Sequence, residues 1–344
     1  MNNIDRKNFH SQVVDLLKSA RNKVVRSVNQ TMVITYFEIG RMIVDKEQDG
    51  KERAAYGENV IKNLSKVLSV EFGKGFSERN IEQMRQFYLA YSIPQTLSAV
   101  FNSGNPSENS ENKMIILSWS HYLKLMRIED LNERNFYEIE SYKNNWSLRQ
   151  LQRQFDSALY TRLVLRRNKA KVNELSEKGL IIEKPIDAIK DPYILEFIGL
   201  REHTIYSENE LEQEIIDKLE HFLLELGNGF TFVARQKRIS FDEKHFRIDL
   251  VFYNRLLKCF VLIDLKIGEL KHQDLGQMQM YVNYYDREIK LNDENKTIGI
   301  VLCRDKSESV VEYTLPENNE QIFASKYETV LPSKEDLKSL INYK

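Results

Sequence analysis

Three charged residues interrupt two apolar runs in the last third of the chain. Asp249 lies in the run Phe246–Tyr253, and Asp264 and Lys266 lie in the run Cys259–Ile267. Charged side chains are seldom buried unless they are paired or bind a ligand. We therefore expect these three residues to have a functional role. The alternative is that Asp264 and Lys266 only neutralise each other.

The spacing of these residues predicts a site for a divalent cation. Because side chains alternate along a strand, Asp264 and Lys266 point to the same face. The short connection at residues 254–258 predicts that the two runs pair, which brings Asp249 beside Asp264. Two carboxylates at a site of low dielectric repel each other unless a cation holds them, and Mg²⁺ prefers carboxylate oxygens.

A third carboxylate, Glu212, comes from a predicted helix at Glu208–Leu226. With roughly 100° per residue, the apolar residues of this segment cover an arc of about 140°, and Glu212 falls inside it. An acid on the buried face is a candidate third metal ligand, either directly or through water. The alternative is that its carboxylate extends to solvent at the rim of the buried face.

An α/β domain with a mixed central sheet is predicted to position these residues. Its strand-like runs are nearly all apolar, which is typical of strands that are buried on both faces. The predicted order is a helix (Glu208–Leu226), three strands (Phe230–Ala234, Phe246–Tyr253 and Cys259–Ile267), a helix (Gly276–Tyr285) and a strand (Thr297–Cys303).

The first half of the chain has helical periodicity almost throughout. A glycine-containing turn at Phe72–Phe76 precedes a helix that Ser77 is predicted to cap, so the pattern resembles a helix-turn-helix. Arg79, Asn80 and Gln83 are polar residues near the start of this helix, and they are candidate nucleic-acid contacts. The alternative is an ordinary solvated helix face.

Charge is divided unevenly along the chain. Residues 1–170 contain 26 Lys and Arg against 19 Asp and Glu, a balance of +7, whereas residues 171–344 have a balance of −8. A basic first half favours contact with a polyanion. The predicted divisions are an all-α, DNA-binding domain at 1–168 that contains a mobile polar insertion at 93–112, a connector at 169–195 and the α/β domain at 196–344.

The composition limits the class of protein. With 344 residues, of which 42% are hydrophobic and 29% charged, it is typical of a folded globular protein. The sequence shows no apolar stretch of the roughly 18 to 20 residues that a membrane span needs and no signal peptide, so we expect a cytoplasmic protein without a membrane partner. Cys259 and Cys303 have no metal-ligand spacing to other Cys or His residues, which excludes zinc modules and predicts two core residues.

Another pair, Gln277 and Tyr281, is four residues apart and shares one face of a predicted helix. The succession of Asp, then Asp-x-Lys after a hairpin, then Gln-x-x-x-Tyr resembles the catalytic core of the PD-(D/E)xK nuclease superfamily. Longer segments resemble the YhcG-type family of bacterial proteins in that superfamily: LEQEIIDKLEHFLLELGNGFTFVARQ, IDLVFYN, IDLKIGEL and GQMQMYVNYYD. The segments GFSERNIEQMRQFYLAY and WSLRQLQRQFDSALYTRL resemble the N-terminal helical domain of the same family.

This resemblance covers nearly the whole chain and implies roles for individual residues. Asp249 and Asp264 are implied as metal ligands, with Leu265 and the helix-borne acid Glu212 in the same ligand set. Lys266 is implied to position the attacking water and to stabilise the charge that develops on the phosphate. The implied metal is Mg²⁺ or Mn²⁺.

For Gln277 and Tyr281, the resemblance implies support of the site and contact with the phosphate backbone. It implies a restriction-endonuclease-like fold and a metal-dependent nuclease that hydrolyses DNA phosphodiester bonds. One alternative is a non-catalytic DNA-binding or assembly protein that retains a nuclease fold, and another is a nuclease that acts on RNA. The oligomeric state is left open, with a homo-oligomer among the alternatives.

Overall fold

The computed structural model describes residues 3–49, 54–92, 117–165, 169–199, 206–241, 243–331 and 333. The chain divides into two compact units, Met1–Leu151 and Gln152–Lys344. The predicted insertion at 93–112 lies outside the described residues.

The division between the units falls earlier than the predicted boundary at residue 168. The reason is that residues directly after the division bond to the second unit: Arg153 pairs with Glu196 at 2.9 Å, and the Gln154 amide donates to the Leu224 carbonyl at 3.0 Å. The functional boundaries at 168 and 195 stay a prediction.

The first unit is helical. Its helices are α1 (Asn3–Asp49), α2 (Ala54–Phe72), α3 (Glu78–Tyr91), α4 (Trp119–Leu125) and α5 (Leu131–Lys143), and the division falls within α6 (Leu148–Asp156). A short 3₁₀ turn, Lys74–Phe76, separates α2 from α3, and the Ser77 side chain accepts a hydrogen bond from the Asn80 backbone N–H. The predicted succession of helix, turn and capped helix is therefore present.

Glu138 is a buried carboxylic acid of this helical unit. Glu138 on α5 accepts a hydrogen bond from the Tyr122 hydroxyl at 3.1 Å, and Arg134 and Tyr91 lie nearby. Burial raises the pKa of Glu138 to about 7, and the hydrogen bonds and the Arg134 charge only partly oppose this shift. Glu138 therefore changes charge near neutral pH inside the folded unit.

The second unit contains a six-stranded sheet with helices on both faces. Its helices are α7 (Leu159–Leu165), α8 (Lys169–Lys178), α9 (Pro185–Ala188), α10 (Glu208–Asp217), α11 (Leu219–Leu226), α12 (His272–Tyr284) and α13 (Glu308–Thr314). Its strands are β1 (Tyr193–Ile194), β2 (Phe230–Phe241), β3 (Lys244–Asn254), β4 (Cys259–Glu269), β5 (Ile298–Asp305) and β6 (Ile322–Glu328).

The sheet order is β1-β6-β5-β4-β3-β2. Strands β2, β3 and β4 pair antiparallel, whereas β4, β5, β6 and β1 pair parallel. The predicted fold class, an N-terminal helical region followed by an α/β domain with a mixed sheet, is confirmed. No helix in the part of the chain that the structure describes is both long and apolar enough to cross a membrane.

Two apolar layers cover the sheet. Leu211, Ile215 and Phe222, from α10 and α11, pack on one face, and residues of α12 such as Leu275 and Met278 pack on the other. Because β4 lies between these layers, most of its residues are buried. Cys259 and Cys303 are free and buried in this core, as predicted.

The elements of the second unit differ from the predicted ones in several places. The first predicted strand continues from Ala234 to Phe241, because the polar residues after Ala234 lie on an edge strand. The predicted helix Glu208–Leu226 is interrupted at Lys218, which separates α10 from α11. Strands β1 and β6 were not predicted, and part of the predicted connector forms β1.

A buried ionic cluster joins α11 to the strand β1 and to α7. Glu225 is fully buried and accepts hydrogen bonds from Arg162 Nη1 at 2.7 Å and from the Ile194 backbone N–H at 3.0 Å. The Lys190 ammonium donates to the Glu225 backbone carbonyl, and Arg153 lies 3.3 Å from the carboxylate. Burial alone raises the pKa of Glu225, but these cations outweigh burial and lower the pKa to about 2.

Replacing the buried carboxylate should destabilise the second unit. In Glu225→Gln the Arg162 guanidinium stays buried without its counter-charge, and removing one partner of such a pair costs about 3–5 kcal/mol. Denaturant unfolding of the full chain measures the loss. Glu220→Gln, on the exposed face of the same helix, is the matched control, and equal effects in both variants would contradict the role of the cluster.

Stability of the helical unit should depend on pH through Glu138. Its pKa is higher in the folded state, about 7, than the ordinary value of 4.5, so the folded state binds more protons and stability falls as pH rises through this interval. Glu138→Gln should remove this slope and raise the Tm at pH 8. Both Trp residues, Trp119 and Trp146, lie in this unit, so Trp fluorescence during heating reports on it. An unchanged slope in the variant, or the same loss of slope in the exposed control Glu129→Gln, would contradict the assignment.

Candidate active site

The candidate site lies where strands β3 and β4 separate. Their pairing runs from Asn254 opposite Cys259 to Leu250 opposite Ile263. Beyond this point the Asp249 carboxylate replaces the backbone ladder, because its Oδ2 accepts the Leu265 backbone N–H at 2.8 Å. The end of the ladder thus fixes the Asp249 carboxylate next to the backbone of β4.

Asp264 and Lys266 lie on β4 and form an ion pair. Lys266 Nζ is 2.7 Å from Asp264 Oδ2, which agrees with the prediction that the two side chains share a face. The Asp264 side chain is only 3% exposed, and within the described part of the chain its Oδ2 accepts no bond with hydrogen-bonding geometry. The ammonium therefore balances the charge without satisfying this oxygen in a directional way.

The electrostatics of this pair reflect a second acid close by. Burial and the charge of Asp249 raise the pKa of Asp264 to about 7, although Lys266 opposes the shift. Burial alone lowers the pKa of Lys266, but the attraction of Asp264 outweighs it, so the pKa lies above its ordinary value and the ammonium stays charged at neutral pH.

Glu212 on α10 is buried, as its position in the apolar arc predicts. Its Oε1 lies 3.0 Å from Arg235 Nε but accepts no hydrogen bond among the described residues. Burial is the main cause that raises the pKa of Glu212, and the charge of Asp249 adds to it. Glu212 thus belongs to the same electrostatic group as the strand acids.

A residue that the sequence did not single out, Gln236, connects these acids. Its Nε2 donates to the Glu212 carboxylate and also to Asp249 Oδ1, the latter at 3.1 Å. Gln236 lies on β2 between two residues that pair with Leu250 and Ile248, which places it next to Asp249. The sequence alone does not identify Gln236, because apolar and polar residues do not alternate around it. Its place beside Asp249 follows only from the pairing of β2 with β3.

Gln277 and Tyr281 lie together on α12, as predicted from their spacing. The Gln277 amide donates to the Tyr281 hydroxyl, which itself donates to the Arg247 carbonyl at 2.9 Å. Tyr281 is buried, and burial is the main cause that raises its pKa to about 12. The pair therefore holds β3 two residues before Asp249, while contact with a phosphate stays a prediction.

The donor set fits a divalent cation by its chemistry. Asp264 and Glu212 each have a buried oxygen that lies against a cation, Lys266 at 2.7 Å and Arg235 at 3.0 Å, without regular hydrogen-bond geometry among the described residues. Carboxylate oxygens are the ligands that Mg²⁺ prefers. Both oxygens of Asp249 accept hydrogen bonds, one of them from the backbone N–H of Leu265. Among the described residues, no three His, Cys, Asp or Glu side chains are already arranged to hold a metal ion. The acids would have to converge on the ion.

The candidate nucleic-acid residues on α3 differ in their environments. Arg79 is exposed and Gln83 is half-buried. The Asn80 amide is engaged within the helical unit, because it donates to the Gly75 carbonyl at 2.6 Å and accepts from Trp119 Nε1 at 3.1 Å. DNA contact by Asn80 stays a prediction that requires these bonds to break.

Some solved structures share a weak likeness with the chain. A repair endonuclease from Pyrococcus abyssi is 19% identical, with a TM-score of 0.26 over 38% of this chain and 50% of that chain. An EndoMS complex with double-stranded DNA is 16% identical, with a TM-score of 0.27 over 39% of this chain and 51% of that chain. These TM-scores are too low to establish a common fold.

Sequence comparison gives a much stronger match. Residues 12–162 match the DUF1016 N-terminal domain, and residues 186–342 match the YhcG PDDEXK nuclease domain. The "Putative nuclease YhcG" of Escherichia coli (strain K12) is 40% identical over 345 residues, which cover 96% of this chain and 92% of that protein. The predicted family is confirmed: the chain, which matches both a DUF1016 N-terminal domain and a PDDEXK nuclease domain, belongs to the YhcG family.

Proposed function

We propose that the second unit hydrolyses phosphodiester bonds of DNA with the help of Mg²⁺ or Mn²⁺. One observation carries the proposal: Asp249, Asp264 and Lys266 are positioned at the point where β3 and β4 separate, and the buried Asp264 Oδ2 has the Lys266 ammonium 2.7 Å away. Membership of a nuclease family supports the same reaction class. We also propose that this enzyme acts in the cytoplasm.

The residues that would hold the metal are Asp249 and Asp264, with Glu212 either direct or through water and Leu265 in the same set. A bound divalent ion would polarise the phosphate and lower the pKa of a water molecule. For Asp249 to bind through Oδ1, it must exchange the hydrogen bond from Gln236. Gln236 therefore competes with the metal for Asp249 and, through its second hydrogen bond, for Glu212.

Lys266 is suited to stabilise charge rather than to take up a proton. The charge of Asp264 keeps its ammonium protonated at neutral pH. A fixed positive charge next to the phosphate lowers the barrier, because negative charge develops there in the transition state. We assign to it the positioning of the attacking water and the stabilisation of that charge, and to Gln277 and Tyr281 the support of β3.

DNA binding by the helical unit is the second part of the proposal. The first 170 residues carry a balance of +7, and neutralisation of phosphates by Lys and Arg dominates non-specific affinity. On α3, Arg79 and Gln83 are the residues assigned to DNA. The Asn80 side chain holds the preceding turn by its bond to Gly75.

Deleting the Lys266 charge should abolish most of the activity, and the Tm of the variant separates this effect from destabilisation by the buried Asp264 that loses its counter-charge. Lys266→Met keeps the apolar stem, and turnover should fall by about 10²-fold or more, as expected when one preorganised electrostatic group is lost. Cleavage is measured on linear, nicked, branched and single-stranded DNA, with and without Mg²⁺ or Mn²⁺. The matched control is Lys326→Met, because Lys326 also pairs with an acid two residues away in a strand, Glu328 at 3.0 Å.

Each outcome of this experiment has a defined meaning. Cleavage that Lys266→Met leaves unchanged would indicate a contaminating nuclease. If the wild type cleaves no DNA substrate, the non-catalytic alternative is favoured, and cleavage of an RNA panel alone would transfer the activity to RNA.

Arg79 should contribute to DNA affinity. In the full chain without divalent metal, Arg79→Gln should weaken binding of a labelled duplex and reduce the slope of log affinity against log salt by about 1. The control Arg41→Gln removes the same charge from α1, where Arg41 already pairs with Glu38 and Asp45. If both variants bind DNA alike, the helix-turn-helix is a protein-interaction module instead.

A further inference from the structure

Next to the candidate site, β2 and β3 form a two-stranded ribbon. The pairing of β3 with β4 ends at Leu250, whereas β2 and β3 continue to pair up to Phe241 opposite Lys244. We call the residues 237–241 and 244–248 the β2–β3 ribbon. Of this ribbon, only residues 246–248 fall within a predicted strand, because the first predicted strand ends at Ala234 and the second begins at Phe246.

The ribbon has two chemically different faces. Since directly opposed residues of an antiparallel pair share a face, one side contains Ile239 opposite Phe246, Phe241 opposite Lys244 and Ile248 opposite Lys237. The four apolar residues of this side belong to or pack against the apolar layer that α12 covers. The opposite face is formed by exposed polar residues: Arg238, Ser240, His245 and Arg247.

Two arginines on this polar face are paired with each other in the register. Arg238 lies directly opposite Arg247, and both side chains are exposed. Within the described residues, neither guanidinium makes an ion pair or a hydrogen bond. Like charges directly opposite each other on a sheet are destabilising. The arrangement becomes favourable when an anion lies against both groups, and arginine binds phosphate with paired hydrogen bonds.

The position of Arg247 relates this pair to the reaction. Arg247 precedes Asp249 by two residues on the same strand, which corresponds to roughly 7 Å. Its backbone is held by the Tyr281 hydroxyl, which donates to the Arg247 carbonyl at 2.9 Å. Because α12 fixes both Arg247 and, through β3, Asp249, the arginine pair is held at a set distance from the acids.

We propose that Arg238 and Arg247 together bind a backbone phosphate of the substrate DNA next to the phosphodiester bond that is cleaved. This inference rests on the proposed function and adds a second DNA-binding surface to the one on the helical unit. The paired guanidinium groups hold the strand against the ribbon, so that the neighbouring phosphate lies at Asp249 and Asp264.

The test compares Arg238→Gln/Arg247→Gln with the wild type as full chains. Binding to a labelled duplex is measured without divalent metal, so that no cleavage occurs. Loss of both arginines from one phosphate should weaken binding by roughly 10- to 100-fold at about 0.1 M salt and lower the salt slope by about 1, because one phosphate is no longer neutralised. The Tm should stay the same or rise, because the variant removes a repulsive pair.

The control is Arg255→Gln/Arg287→Gln, which removes two exposed arginines from the opposite end of the sheet. Residues 258 and 295 are bonded to each other there, which places both segments at that end. If the control weakens binding as much as the ribbon variant, the effect is one of net charge and the ribbon site is overturned. A larger loss on an RNA duplex than on DNA would overturn the assignment to DNA.

The same proteins separate this inference from the proposed function. If wild type cleaves DNA while the ribbon variant binds and cleaves as the wild type does, the ribbon site is overturned and the nuclease stands. If DNA binding depends on the arginine pair but no substrate is cleaved, the ribbon site stands and the proposed hydrolysis fails.

Discussion

Burial of Asp264 beside a second carboxylate is the constraint on which the candidate site depends. β4 lies in the middle of the sheet between two apolar layers, so its side chains have little access to water. A charge at this position requires compensation, which Lys266 supplies from the same face of the strand. The neighbouring strand can bring Asp249 close only because the β3–β4 ladder stops at Leu250.

The second unit also contains a buried acid with a structural role, Glu225, whose surroundings differ from those of Asp264. Glu225 receives hydrogen bonds from two arginines and a backbone N–H, and its pKa is lowered to about 2. Asp264 has the Lys266 ammonium 2.7 Å from its Oδ2 and the charge of Asp249 close by, and its pKa is raised to about 7. The two acids differ in how many of their oxygens are bonded within the protein. Because every oxygen of Glu225 is bonded to protein groups, Glu225 has no oxygen available for a ligand.

The sequence identifies those site residues that interrupt a periodic apolar pattern of a strand or a helix. Asp249, Asp264 and Lys266 stand out because they interrupt apolar strands, and Glu212 because it falls inside an apolar helical arc. Gln236 could not be found in this way, because it lies on an edge strand whose polar residues show no alternation, and its two bonds depend on register. The two-residue strand β1 was missed for a related reason, since so short an element has no period.

The two edge strands of the sheet, β1 and β2, are protected against aggregation in different ways. An exposed edge strand offers unpaired backbone groups to other strands, and native proteins protect such edges with charge or by shortness. Here β1 is two residues long, while β2 carries exposed arginine and lysine side chains along the ribbon. The charged side chains of the ribbon therefore oppose pairing of the longer edge with a strand of another molecule, so the arginines that we propose for phosphate binding also limit aggregation.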